Sequence, residues 1–181
     1  MRIVVSGTHA SGKSTLIADF LAAHPEYLSL GDPFDDLEEE AVDPSGEASF
    51  AGQLRIAAGR LRATAGQQDV IAERGPLDFA AYLIALERLG RSDGALVERA
   101  IAIAEDSLAL VDLVVLVPLD ARRSIRIPAD EDPALREAMD QALFDLADDL
   151  AQDTGVRLLT VAGDGEMRLT TLVEAIVDIA E

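Results

Sequence analysis

The densest concentration of chemistry in the chain is Gly7-Thr8-His9-Ala10-Ser11-Gly12-Lys13-Ser14. Glycine at the first and sixth positions, followed at once by lysine and a hydroxyl residue, fits the spacing G-x-x-x-x-G-K-[ST], and Thr15 extends it. The glycines let a loop turn its backbone N–H groups toward one anion, while a helix starting at Lys13 would aim its positive end at the same point. Such an arrangement holds a polyphosphate. Lys13 would bring an ammonium to the outer phosphates and Ser14 a hydroxyl to Mg²⁺. Among 15 basic residues Lys13 is the single lysine, the other fourteen being arginine.

Three further groups could act on the same ligand. Asp32 closes a strand-like run before Pro33, at the carboxyl end of a strand, where ligands meet open parallel sheets; Asp-Pro is equally a turn former. Glu73 ends the apolar run Asp69-Val-Ile-Ala and could organise water around Mg²⁺, with Arg74 beside it to bind a substrate or phosphate oxygen; the alternative is a surface Glu–Arg pair at the Gly75-Pro76 turn. Arg122, Arg123 and Arg126 crowd one short loop of an acidic chain. They suit either the charge that builds up in phosphoryl transfer or the nearby Asp120, Asp130, Glu131 and Asp132. Arg55, Arg60 and Arg62, on one expected helix, either enter a substrate cleft or form surface ion pairs. Phe34 and Phe50 flank an acidic loop and either stack on a substrate ring or pack in the core. His9 and His24 lack metal-ligand partners in the sequence.

These residues need a scaffold, and the apolar pattern supplies one. Short apolar runs at residues 2–6, 27–30, 69–73, 113–117 and 157–161 read as strands. Helical spacing follows at 13–23, 48–64, in two helices between 76 and 108, from Pro133 to 150, and over 169–177. Residues 31–47 read as an acidic loop. Continuous rather than alternating apolar strands, separated by helices, imply a parallel sheet covered on both faces, so the expected class is α/β. With 181 residues, no repeat and no linker, a single domain over 1–181 is expected. The absence of cysteine excludes disulfides and thiolate chemistry. The net charge of −19 opposes nucleic-acid backbones, and no apolar run nears membrane-spanning length. Without a leader-like start, the expected location is cytoplasmic.

The phosphate loop and the order of the pieces after it resemble P-loop nucleoside and nucleotide kinases. The likeness is greatest to the NadR-like ATPase/kinase family, which includes ribosylnicotinamide kinase domains. The resemblance rests on residues 7–15, Asp32-Pro33, Glu73-Arg74-Gly75-Pro76-Leu77-Asp78, the arginine loop and the helix after it. It implies a five-stranded sheet in the order 2-3-1-4-5 and a lid over about 118–132 with Arg126 as its catalytic arginine. It also implies ATP with Mg²⁺, and an adenine contact near Gly163. Similar deoxynucleoside kinases carry a Glu-Pro pair whose carboxylate takes the acceptor's proton, a place held here by the shorter Asp32. The implied activity is transfer of the γ-phosphoryl group to a small nucleoside-like or nucleotide-like acceptor. The alternative is a regulatory ATPase or nucleotide-dependent switch acting on a protein partner. A homodimer is left open, and neither nucleic acid nor membrane is an expected partner.

Overall fold

The structure, a computed structural model, describes residues 1–37, 43, 45–119 and 132–180. Five strands, β1 (Arg2–Ser6), β2 (Leu28–Leu30), β3 (Val70–Glu73), β4 (Leu113–Leu116) and β5 (Arg157–Thr160), form one parallel sheet in the order β2-β3-β1-β4-β5. The helices are α1 (Lys13–Ala23), α2 (Glu47–Ala63), α3 (Pro76–Arg88), α4 (Val97–Leu108), α5 (Pro133–Thr154) and α6 (Gly165–Ala180). The α/β class and the strand order are therefore as expected. Within residues 31–47, read as loop, the described part contains a short 3-10 turn over Pro33–Asp36, because the Asp32 carboxylate accepts the Phe34 N–H at 3.0 Å and starts it.

Burial separates central strands from edges. Every residue of β1 and β4 is buried, as continuous apolar runs between two helical layers require. The edge strands β2 and β5 keep exposed positions, so the covering of the sheet is incomplete there. One core cluster packs α2, α3, α4 and α5 against the sheet, with Phe79, Met139 and Leu143 fully buried. The other joins β1 and β4 to α1 and α6 through Ile3, Val5, Phe20, Val115 and Leu172. Helix α3 starts at Pro76, which needs no N–H there, and is buried over most of its length, so what it carries is held rigidly.

Register fixes where chemistry can occur. Val5 lies opposite Glu73 and Ser6 opposite Leu116, so the loops leaving β1, β3 and β4 emerge side by side. The chain passes from β1 to β2, returns to β3 between them, then continues to β4 on the far side of β1. That reversal makes the carboxyl end of β1 the switch point, where such sheets open a crevice.

Candidate active site

The loop after β1 fills that crevice, and its glycines have separate reasons to be there. A Cβ on Gly7 would stand 2.6 Å from the Val117 carbonyl oxygen and 2.9 Å from Ser11 Oγ, so only hydrogen fits. Gly12 caps α1 with φ 97°, a left-handed conformation, and offers no side chain to the first-turn N–H groups. Those groups are thus left for an anion, whereas α5 satisfies its own start with the Asp132 carboxylate, which accepts from Ala134 and Leu135 N–H at 3.0 and 3.1 Å. Ala10, at φ 53°, also adopts the left-handed region despite its side chain. Thr8 and Ser11 are buried within the loop, and the Ser11 hydroxyl has no hydrogen-bond partner among the described residues. Bare backbone donors, a cradle that a Cβ would fill and an orphaned hydroxyl fit a phosphate chain.

Lys13 is 3% exposed and donates to the Thr8 carbonyl at 2.7 Å. Burial, then the Arg74 charge, lowers its pKa from 10.5 to about 7, although Asp78, Glu73 and Asp32 pull the other way. Ser14 donates to Glu73 Oε1 at 2.7 Å, joining the first turn of α1 to the end of β3. This hydroxyl–carboxylate pair offers the hard oxygens that Mg²⁺ takes. Among the described residues no group of three or more His, Asp or Glu side chains could hold a metal; Mg²⁺ usually completes its shell with phosphate oxygens and water.

Beside this lies the second pair. Arg74 Nε is 3.1 Å from Asp32 Oδ2, with Arg74 buried and Asp32 partly open to solvent. Arg74 sits at φ 63°, a strained conformation for a bulky residue, and its guanidinium lies 5.6 Å from the centre of the Tyr82 ring. Tyr82 in turn stacks on Phe50, 4.2 Å between centroids and 8° from parallel, and its hydroxyl accepts from the His9 N–H at 3.4 Å. Phe50 thereby resolves to core packing. Phe34 is 48% exposed at the 3-10 turn.

The remaining sequence candidates separate. Thr15 and His9 are exposed, and so is Arg55 on α2. Arg60 pairs with Asp36 and donates to the Gly31 carbonyl at 2.6 Å, bracing the segment that carries Asp32. Gly163, at φ 88°, turns the chain between β5 and α6. Arg122, Arg123 and Arg126 lie outside the described residues, as does most of the 118–132 segment. A surface cavity of about 460 Å³ lies at the other end of the sheet, between Met1, Arg2, Gln67 and Asp112. It has no part in this chemistry.

Three residues with no role assigned from the sequence support the site, one of them, Asp78, at the end of the Glu73–Asp78 motif. Asp78 is fully buried and accepts from Ser6 Oγ at 2.7 Å, Gly7 N at 2.9 Å and Gly75 N at 2.9 Å, tying the start of the phosphate loop to the turn after β3. Burial pushes its carboxyl pKa up, against those donors and Arg74. Arg136 of α5 and Arg168 of α6 donate to loop carbonyls. A faint signal existed for two of the three: Asp78 occupies the third position of a helix opened by Gly-Pro, and Arg168 lies four residues before the buried Leu172.

A parallel sheet in this order with a phosphate loop at its switch point defines a P-loop nucleotide kinase-like fold. The chain belongs to the AAA domain family, whose model matches residues 2–168. Among solved structures it is similar to deoxyadenosine kinase from M. mycoides with bound dATP (TM-score 0.64, 17% identity, 98% of each chain). It is also similar to thymidylate kinase from Candida albicans (TM-score 0.67, 16% identity, 97% of this chain and 90% of that one). A third is the YorR protein of Bacillus subtilis in complex with phosphorylated GDP (TM-score 0.53, 14% identity, 98% and 94%). These likenesses concern the fold. No curated protein matches the chain by sequence. Among the described residues no helix is long and apolar enough to cross a membrane.

Proposed function

We propose that the chain is a cytoplasmic ATP-dependent phosphotransferase. It acts as a single domain over residues 1–181 and transfers the γ-phosphoryl group to a hydroxyl of a small nucleoside-like or nucleotide-like acceptor, in the manner of the NadR-like kinases that its motifs resemble. The observation that carries this reading is the pairing of two carboxylates at one sheet end. Glu73 is bonded to Ser14 at 2.7 Å on the phosphate side, and Asp32 is paired with Arg74 at 3.1 Å beside it. The second pair offers a base and a cation to an acceptor hydroxyl.

Bound Mg·ATP would supply the transferable group, the metal drawing charge from the phosphate oxygens. Ser14 and Glu73 would hold the ion, directly and through water. The chain's residues do the rest. The phosphate loop fixes the donor, and Lys13 neutralises its outer oxygens. Arg74, held by Asp32 and Tyr82, orients the acceptor, and Asp32 takes the proton from its hydroxyl as the new bond forms. Arg126, on the 118–132 segment, would meet the transferring group with a planar fork.

A coupled assay of ADP release with a panel of nucleosides, nicotinamide riboside and nucleoside monophosphates tests the reading. ATP turnover should rise at least tenfold with one class of acceptor and yield a phosphorylated product by mass spectrometry. Turnover indifferent to every acceptor, but raised by a protein partner, would replace the kinase by a nucleotide-dependent switch.

A further inference from the structure

Successive carbonyl groups on the phosphate loop are all held by cationic side chains. The Thr8 oxygen accepts from Lys13 Nζ at 2.7 Å. Those of His9 and Ala10 accept from Arg136 Nε at 3.0 Å and Arg136 Nη2 at 3.2 Å. The Ser11 oxygen accepts from Arg168 Nη1 at 2.8 Å. The three donors come from α1, α5 and α6, and Arg168 is only 3% exposed.

Peptide geometry gives this pattern its meaning. In a planar trans peptide the C=O and the following N–H point in opposite directions, so fixing a carbonyl outward fixes the next N–H inward. Holding the oxygens of residues 9, 10 and 11 therefore aims the N–H groups of Ala10, Ser11 and Gly12 at the phosphate side. With no anion in place, three N–H groups aimed at one point repel one another, and the two guanidinium groups at the carbonyl ends of the same amides offset that cost. Ala10, held at φ 53°, is the residue whose conformation most needs such support.

We propose that Arg136 and Arg168 are positioning residues for phosphate binding, acting from behind the loop: they grip its carbonyls, never the nucleotide, and so preorganise its N–H groups. This rests on the reading of residues 7–14 as a polyphosphate cradle. The geometry also separates the two arginines. Arg136 spans two carbonyls with two nitrogens of its fork, which a single lysine ammonium cannot reproduce, whereas Arg168 makes one such bond.

The test is calorimetric binding of ADP and of inorganic tripolyphosphate to wild type and to Arg136→Met, Arg136→Lys, Arg168→Met and Arg168→Lys. ¹⁵N spectra would follow the amides of residues 9–13 alongside. The Met variants should bind both probes at least tenfold more weakly and lose the phosphate-induced shifts of these amides. Arg168→Lys should recover most of the affinity, and Arg136→Lys little of it. Because Arg168 is buried, Arg168→Met could fail to fold; Arg136 is half-exposed, and its two variants then decide the question. Wild-type affinity and unchanged amide shifts in folded Met variants overturn the proposal while leaving the phosphate cradle intact. Wild type that binds neither probe removes the cradle, and the proposal with it.

Discussion

Lys13 should make nucleotide binding draw a proton from solution. Its pKa stands near 7 in the folded chain against 10.5 when solvated, because burial and the Arg74 charge both oppose the ammonium. At pH 8 about one Lys13 in ten is then charged. A polyphosphate on the loop restores the balance in favour of the cation, so binding ADP at pH 8 should take up about 0.9 proton, whereas at pH 6 the already charged Lys13 contributes only about 0.1 and the ADP phosphate releases a proton of its own. Calorimetry in two buffers of different ionisation enthalpy reads this number directly, and ADP is itself fully ionised at the higher pH. Stability carries the same signature. Between about pH 7 and 10.5 the unfolded chain holds more protons than the folded one, so the ligand-free protein should gain stability as pH rises through that window. The full penalty, on the order of 5 kcal/mol, is present below it. In Lys13→Met both the proton uptake and this slope, measured by urea unfolding, should largely vanish. Uptake below about 0.2 proton at pH 8 in a wild type that binds ADP would refute the reasoning, as would equal slopes in the two proteins.

The carboxylate pairs should separate by substitution: Asp32→Asn should lose phosphoryl transfer yet keep Mg·ATP affinity, while Glu73→Gln should also raise the Mg²⁺ concentration needed for half-maximal rate, as steady-state kinetics would show. Asp78→Ala removes a buried acceptor of three hydrogen bonds and should cost about 3–5 kcal/mol in urea unfolding, with Asp78→Asn milder. Gly7→Ala forces a methyl to 2.6 Å from a backbone oxygen. It should destabilise by about 1–3 kcal/mol and abolish ADP binding by calorimetry. Arg126→Ala should lower kcat far more than it weakens ATP binding, with Arg122→Ala and Arg123→Ala costing less.

What could be read from the sequence was local. Residues 7–15 carry their geometry in consecutive positions, and α1 shows its buried face through Leu16, Ile17 and Phe20. The strands were legible as apolar runs because each is short and bounded by turn residues. The supports of the site are of another kind. Asp78 reaches Gly7 across 71 positions, and Arg136 and Arg168 reach the loop across 127, 126 and 157. The last two bond to backbone, which carries no sequence signal at the receiving end. Phe50 left two readings open for a similar reason, since its partner Tyr82 lies on a different helix and only packing brings their rings together. The 3-10 turn at Pro33–Asp36 depends on one carboxylate meeting one N–H, too small a feature for periodicity to reveal.

Helix α6 lies on the outside of the sheet, with Arg168 and Leu172 buried and Leu169, Val173, Ile176 and Ile179 partly buried against the core of β1, β4 and α1. Outer elements detach transiently at less cost than the core they rest on. When α6 lifts, the Ser11 carbonyl loses its partner, so loosening at this edge and loosening of the phosphate loop are one event. Amide hydrogens along α6 should accordingly exchange more slowly once ADP is bound, since the Arg168 side chain fastens the helix to the loop, and a change made on its outer face could tune nucleotide residence time from a distance.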